Sequence, residues 1–144
     1  MQKNKKRNVR RRGFTLIELL IVIVIIGIMS SMMMITTGSA TDKAEATRIV
    51  SDLRNIQSAS VLYFADEESW PTGDIKLINP YLSAKLEEES KYSLVSGTNG
   101  SLHAQYKNDD IASGVLEKLD DMRAKGAPIS VDAAQKTVEL VIRN

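Results

Sequence analysis

One carboxylate, Glu18, stands inside an almost unbroken apolar run from Phe14 to Ile35. A charged side chain in a lipid-buried helix costs on the order of 2.5–3.5 kcal/mol at the centre and less near an end. A residue kept against that penalty needs a cationic partner, or must snorkel to the headgroups, and glutamate is short for the second task. Other residues with chemical potential are few. His103 is the only histidine and falls in a strand-patterned segment, where a structural or surface role is expected. The chain shows no HExxH, no GxxxxGK[ST] and no Ser–His–Asp order. With no cysteine, it has no disulfide, thiolate metal site or thiol nucleophile. Glu87-Glu88-Glu89, Asp109-Asp110 and Asp120-Asp121 read as solvated helix faces. Met29, Met32, Met33 and Met34 read as soft packing rather than a copper site. Nothing here suggests an enzyme.

The elements that position Glu18 follow from how charge and hydropathy are distributed. Of the 19 basic residues, seven (Lys3, Lys5, Lys6, Arg7, Arg10, Arg11, Arg12) precede Gly13 with no acidic residue among them, so the remainder is net −6. A basic head abutting an apolar run is an orientation signal more than a nucleic-acid footprint, and no nucleic-acid contact is expected. The 22 residues from Phe14 to Ile35 make a helix of roughly 33 Å, long enough for a hydrocarbon core of about 30 Å. Only a helix satisfies its own backbone there. A cleaved secretory signal is the rival, with Ser39-Ala40-Thr41 as its small-residue site, but such a core is usually shorter.

Beyond Gly38 the pattern turns amphipathic. Ile49, Leu53, Ile56 and Tyr63 fall on one helical stripe. No proline precedes Pro71, so one helix is predicted from Phe14 to about Asp66, with Gly27 or Gly38 as places to bend. Trp70-Pro71-Thr72-Gly73-Asp74 reads as a turn, and Tyr63 and Trp70 as core contacts at the helix exit. Asn79-Pro80 predicts a cap and first residue of a short helix running to about Glu89. Tyr92–Val95 and Leu102–Tyr106 read as strands around a turn at 96–101. Asn108 is the expected cap of a helix over 109–125, with Ile111, Val115, Leu116, Leu119 and Met122 on one face and Gly126 ending it. Thr137–Ile142 reads as a last strand. The fold class is α+β, a long helix with a small antiparallel sheet laid on its apolar stripe.

At this point Gly13-Phe14-Thr15-Leu16-Ile17-Glu18-Leu19-Leu20-Ile21-Val22, behind its basic leader, resembles the cleavage and methylation motif of type IV pilins and type II secretion pseudopilins. The resemblance implies a type IV pilin-like fold and a division into a removed leader (1–13), a transmembrane and filament-core helix (14–36), its amphipathic continuation (37–66) and a small α+β head (67–144). It implies that a prepilin peptidase cuts between Gly13 and Phe14 and methylates the Phe14 amine. It further implies that Glu18 pairs with the Phe14 amine of a neighbouring copy. Implied partners are copies of the chain, related pilins and an inner-membrane assembly platform. The implied location is the bacterial inner membrane, N-terminus cytoplasmic, and then a pilus or pseudopilus outside the cytoplasm. No cofactor is expected, although some type II pseudopilins bind calcium in this region; no calcium loop is matched here. Two departures stand out. No proline lies near Ile35, and no C-terminal disulfide loop can form, which favours a pseudopilin-like or minimal pilin. The alternatives are a single-pass anchored binding protein that never polymerises, and a secreted domain released near Ala40.

Overall fold

The computed structural model describes residues 13–143, apart from the side chains of 32–37 and 98. The basic leader up to Arg12, expected to lack structure, lies outside the described residues. Helix α1 spans Leu16–Glu67, 52 residues through both Gly27 and Gly38. Two compact units divide the chain, residues 1–37 and 38–144.

In the first unit the apolar side chains from Phe14 to Met29 are exposed all round the helix. Its polar interruptions are satisfied locally. Ser30 and Ser31 donate to the carbonyls of Ile26 and Gly27, at 2.7 and 2.9 Å. Among the described residues no helical stretch is long and apolar enough to cross a membrane. The span expected over 14–36 runs into 32–37, and its fully described part ends at Ser31.

The second unit has the core. The predicted stripe of Ile49, Leu53 and Ile56 is fully buried, joined by Ala46, Ala59 and Ser60, and Tyr63 packs at its margin. Ser60 tolerates burial because its hydroxyl donates to the Ile56 carbonyl at 2.8 Å. The sheet contains β1 (Tyr92–Ser96), β2 (Leu102–Lys107), β3 (Ile129–Asp132) and β4 (Thr137–Arg143), antiparallel in the order β1-β2-β4-β3. Period-two alternation turns Tyr92, Leu94, Leu102, Ala104, Tyr106, Val138 and Leu140 inward. Helix α2 (Ser113–Ala124) adds Val115 and Leu119 to the same core.

Three expectations are corrected. No helix runs from Asn79 to Glu89; a 3-10 helix spans Ile75–Tyr81 instead, with Pro80 inside it. Asp74 is its cap, accepting from the Lys76 amide at 2.9 Å, and buried Ile75 and Ile78 supply the three-residue spacing that suits a 3-10 turn. Second, Asn108 does not cap α2. Its Oδ1 accepts from the Asp110 amide at 3.0 Å in a local Asx turn, so the helix begins later, behind Ala112. Third, β3 is an additional strand. It is four residues long with only Ile129 and Val131 apolar, too short a pattern to stand out.

Candidate processing and assembly site

Gly13, Phe14 and Thr15 are non-helical, and α1 starts immediately after them. The reason is local. Glu18 Oε2 accepts from both the Thr15 amide and the Thr15 hydroxyl, each at 2.8 Å, while the Glu18 amide donates to Thr15 Oγ1 at 3.3 Å. This is a capping box: the threonine and the glutamate three residues on satisfy each other's amides, and the carboxylate sits at the positive end of the helix dipole. Phe14 and Leu19 occupy the flanking positions of a hydrophobic staple and border one open apolar groove with Leu16, Leu20 and Ile23. The signal for the box, Thr15-Leu-Ile-Glu18, is plain in the sequence, and it gives Glu18 an intrachain partner in addition to the pairing expected with a neighbour's Phe14 amine.

No basic side chain pairs with Glu18 among the described residues. Its charge is held by hydrogen bonds alone. Gly13 has no steric reason of its own to be glycine, since a Cβ there would meet nothing within 4 Å. Phe14, 86% exposed, presents its ring outward. The three predicted residues therefore lie together, at the junction between a non-helical segment and an exposed apolar helix.

His103 sits on the sheet face away from α1. Its Nε2 is 3.1 Å from Ser101 Oγ and its Nδ1 is 3.5 Å from Glu139 Oε2. The line of serine, histidine and carboxylate is superficially that of a nucleophile and its base. Glu139 is, however, engaged by Gln105 Nε2 at 2.7 Å, and the nearby Gly97 amide donates to the Ser101 carbonyl at 2.9 Å rather than into a site. Exposed Val95 and Val141 flank the imidazole in register on the neighbouring strands. No group of three or more metal-ligating side chains occurs among the described residues.

A second polar cluster joins α1 to the segment before β1. Arg48 bridges Glu87 at 2.9 Å and Glu88 at 3.0 Å, and Lys91 meets Glu88 at 2.7 Å. Partial burial pulls the Arg48 guanidinium pKa down, but the two carboxylates outweigh it and leave it raised. Lys91 holds Glu88 below the usual carboxylate range. Further along, Asn55 donates to the Ala84 carbonyl and accepts from Ser83, at 2.8 and 3.0 Å. Tyr92 donates to Asp52 at 2.6 Å. These contacts fix the head on its helix and leave the N-terminal chemistry to residues 13–18.

A family model described as the prokaryotic N-terminal methylation motif matches residues 8–34. Type II secretion system core protein G of Klebsiella michiganensis is 34% identical over 86 residues, covering 60% of this chain and 61% of that protein. The fimbrial protein of Neisseria meningitidis is 26% identical over 139 residues, covering 89% of this chain and 80% of its own. The chain thus spans about three fifths of the first secretion relative it matches. Among solved structures, the major type IV pilin PilA1 of Clostridium difficile superposes with a TM-score of 0.52 at 19% identity, covering 74% of this chain and 99% of that one. The fold is that of a type IV pilin, and the chain carries the N-terminal methylation motif of the pilins and secretion pseudopilins.

Proposed function

We propose that this chain is a prepilin, a structural subunit of a type IV pilus-like or type II secretion pseudopilus filament and not an enzyme. In this reading a prepilin peptidase cuts between Gly13 and Phe14 and methylates the new Phe14 amine. The apolar helix anchors the subunit in the bacterial inner membrane, with its N-terminus cytoplasmic, until an assembly platform draws it into the filament. The observation that carries the reading is the unpartnered apolar surface from Phe14 to Met29, directly behind a non-helical Gly13–Phe14 pair. Such a surface needs lipid first and other copies of itself afterwards.

Glu18 links the two stages. Before cleavage, its Oε2 is satisfied by Thr15 of the same chain. After cleavage a neighbour's Phe14 ammonium supplies the counter-charge that a water-poor bundle requires. Only a register that brings the two together relieves both charges.

The test is the mass and N-terminal sequence of native protein, read beside filament yield. A chain beginning at methylated Phe14 is expected; one beginning at Thr41 would sink the proposal in favour of a secreted domain. An uncleaved chain would favour the single-pass anchored binding protein. Gly13→Val should accumulate full-length precursor, since the chain itself tolerates a Cβ there. Glu18→Ala should insert and be processed, with one membrane charge fewer, yet yield few filaments. Wild-type yield from that variant would remove the amine-pairing role.

A further inference from the structure

Two surfaces of the unit beginning at Gly38 are left over by membrane anchoring and by the chemistry at residues 13–18. The first is an exposed aromatic and aliphatic patch. Phe64 stacks on Trp70 with ring centroids 4.5 Å apart and planes at 17°. The Arg143 guanidinium lies 5.8 Å from the Trp70 ring and has no carboxylate partner among the described residues. Gln57 donates to the Val141 carbonyl at 3.0 Å, tying the end of β4 to α1. Val61, one turn beyond Gln57, extends the patch and is 48% exposed. The result is an apolar surface carrying an exposed cation with no carboxylate partner among the described residues.

The second surface is a groove between α2 and β3. Leu116, Val131 and Ala133 form its apolar part, and Ser113, Glu117 and Asp120 stand around it. Asp120 is engaged by Arg123 at 2.7 Å, whereas Glu117 has no cation among the described residues. An apolar groove with an unpaired carboxylate complements an apolar patch with an unpaired guanidinium.

Their placement decides what kind of contact follows. Gly114 at the start of α2 abuts the Asp42 side chain, while Phe64 lies about 33 Å further along α1 at ~1.5 Å per residue. On the sheet, Val131 pairs with Val138, and Arg143 is the far end of the same strand. Patch and groove thus lie towards opposite ends of the head and cannot meet within one chain. A contact between unlike surfaces of identical copies propagates instead of closing.

We infer that the patch of Val61, Phe64, Trp70 and Arg143 docks in the α2–β3 groove of a second copy of this chain, with Arg143 facing Glu117. This head-to-tail contact rests on the filament reading above and adds to it a bond between heads, separate from the helix bundle.

The chain has no cysteine, so introduced thiols report without background. The full-length protein is expressed in a host carrying the pilus or pseudopilus machinery, and sheared filaments are treated with a short bismaleimide. A Val61→Cys, Ala133→Cys double variant is expected to give a ladder of multimers, while each single variant stays monomeric. Intact filaments without a ladder would overturn the contact and leave the filament reading standing. A ladder from Val61→Cys alone would overturn it too, by showing like surfaces meeting, and so would Val61→Cys cross-linked to a different protein. A wild-type chain that makes no filaments would sink the contact together with the reading beneath it. As a second measurement, Arg143→Glu and Glu117→Arg should each lower filament yield by about tenfold, and the double reversal should restore it to within about twofold. A double variant no better than either single one would refute the pairing even if every variant folds.

Discussion

Two tyrosines show how single hydroxyls tie the head to its helix. Tyr92 is 4% exposed, packs against Tyr106 at 5.1 Å between centroids, and donates to Asp52 at 2.6 Å. Burial pushes its phenol well above the ordinary range, and the Asp52 hydrogen bond raises it further. Tyr81 donates to Asp66, also at 2.6 Å, and that bond pushes its phenol up to about 12. A phenol that binds its proton more tightly when folded contributes stability that is complete below the unfolded pKa of about 10 and lost as pH rises beyond it. The head should therefore weaken above about pH 10, in urea titrations run across an alkaline series. Tyr92→Phe should cost about 1.5 kcal/mol at neutral pH, because Asp52 loses its donor, and should flatten that alkaline decline. An alkaline limb identical to wild type in the variant would show that the Tyr92–Asp52 bond is not the source. Glu18 illustrates the same principle in a different setting, since its satisfaction by Thr15 depends on neighbours three residues away and not on the head.

Elements rest on backbone detail at their ends. Gly126, at φ +96, follows α2, and its amide donates to the Arg123 carbonyl at 3.0 Å. Ala in that left-handed conformation is strained by roughly 1–2 kcal/mol, so Gly126→Ala should lower stability by about 1 kcal/mol net of the glycine's greater unfolded-state entropy. Gly114→Ala is the contrasting case. Its new Cβ would strike the Asp42 carboxylate, but that group ends a flexible side chain and can swing aside. Losing its charge from the α2 N-terminus is offset by the better helix propensity of alanine, and the variant should fall within about 0.5 kcal/mol of wild type. Thermal unfolding of the pair checks both, and equal losses would contradict the distinction. Legibility in the sequence follows the same divide. The apolar stripe of α1 is visible because Ile49, Leu53 and Ile56 recur at three- and four-residue steps, and the helix ends at Glu67, one residue beyond the expected Asp66. β1, β2 and β4 alternate over five to seven residues and are visible for that reason. Glu18, Phe14 and Gly13 are legible as a motif, but the Thr15 contribution is a pairwise hydrogen bond that a charge-centred reading passes over. What escapes is short or tertiary: β3 needs β4 beside it, the 3-10 helix needs Ile75 and Ile78 buried, and the start of α2 depends on which bonds Asn108 prefers.

At the scale of the molecule, two halves obey different physics. Every core residue, from Ala46 to Leu140, belongs to the unit that begins at Gly38. The described apolar side chains before it, from Phe14 to Met29, are exposed and add nothing to that core. Folding of the head is therefore separable from the state of the first unit. A truncated chain beginning at Gly38 should be soluble and monomeric, and should unfold in one cooperative transition, since Ile49, Leu53 and Ile56 retain all their sheet contacts. Within it, Leu53→Ala should destabilise by about 2–5 kcal/mol, because a fully buried leucine between helix and sheet leaves a cavity that the four-stranded sheet cannot collapse to fill. Circular dichroism with heat and urea reads both effects. A broad, non-cooperative transition in the truncated chain would mean that the head depends on residues before Gly38 for its order. A sharp transition, with the leucine variant shifted well below it, would establish that the head is a domain that stands by itself, its order owed to the Ile49–Leu53–Ile56 stripe packed on the sheet.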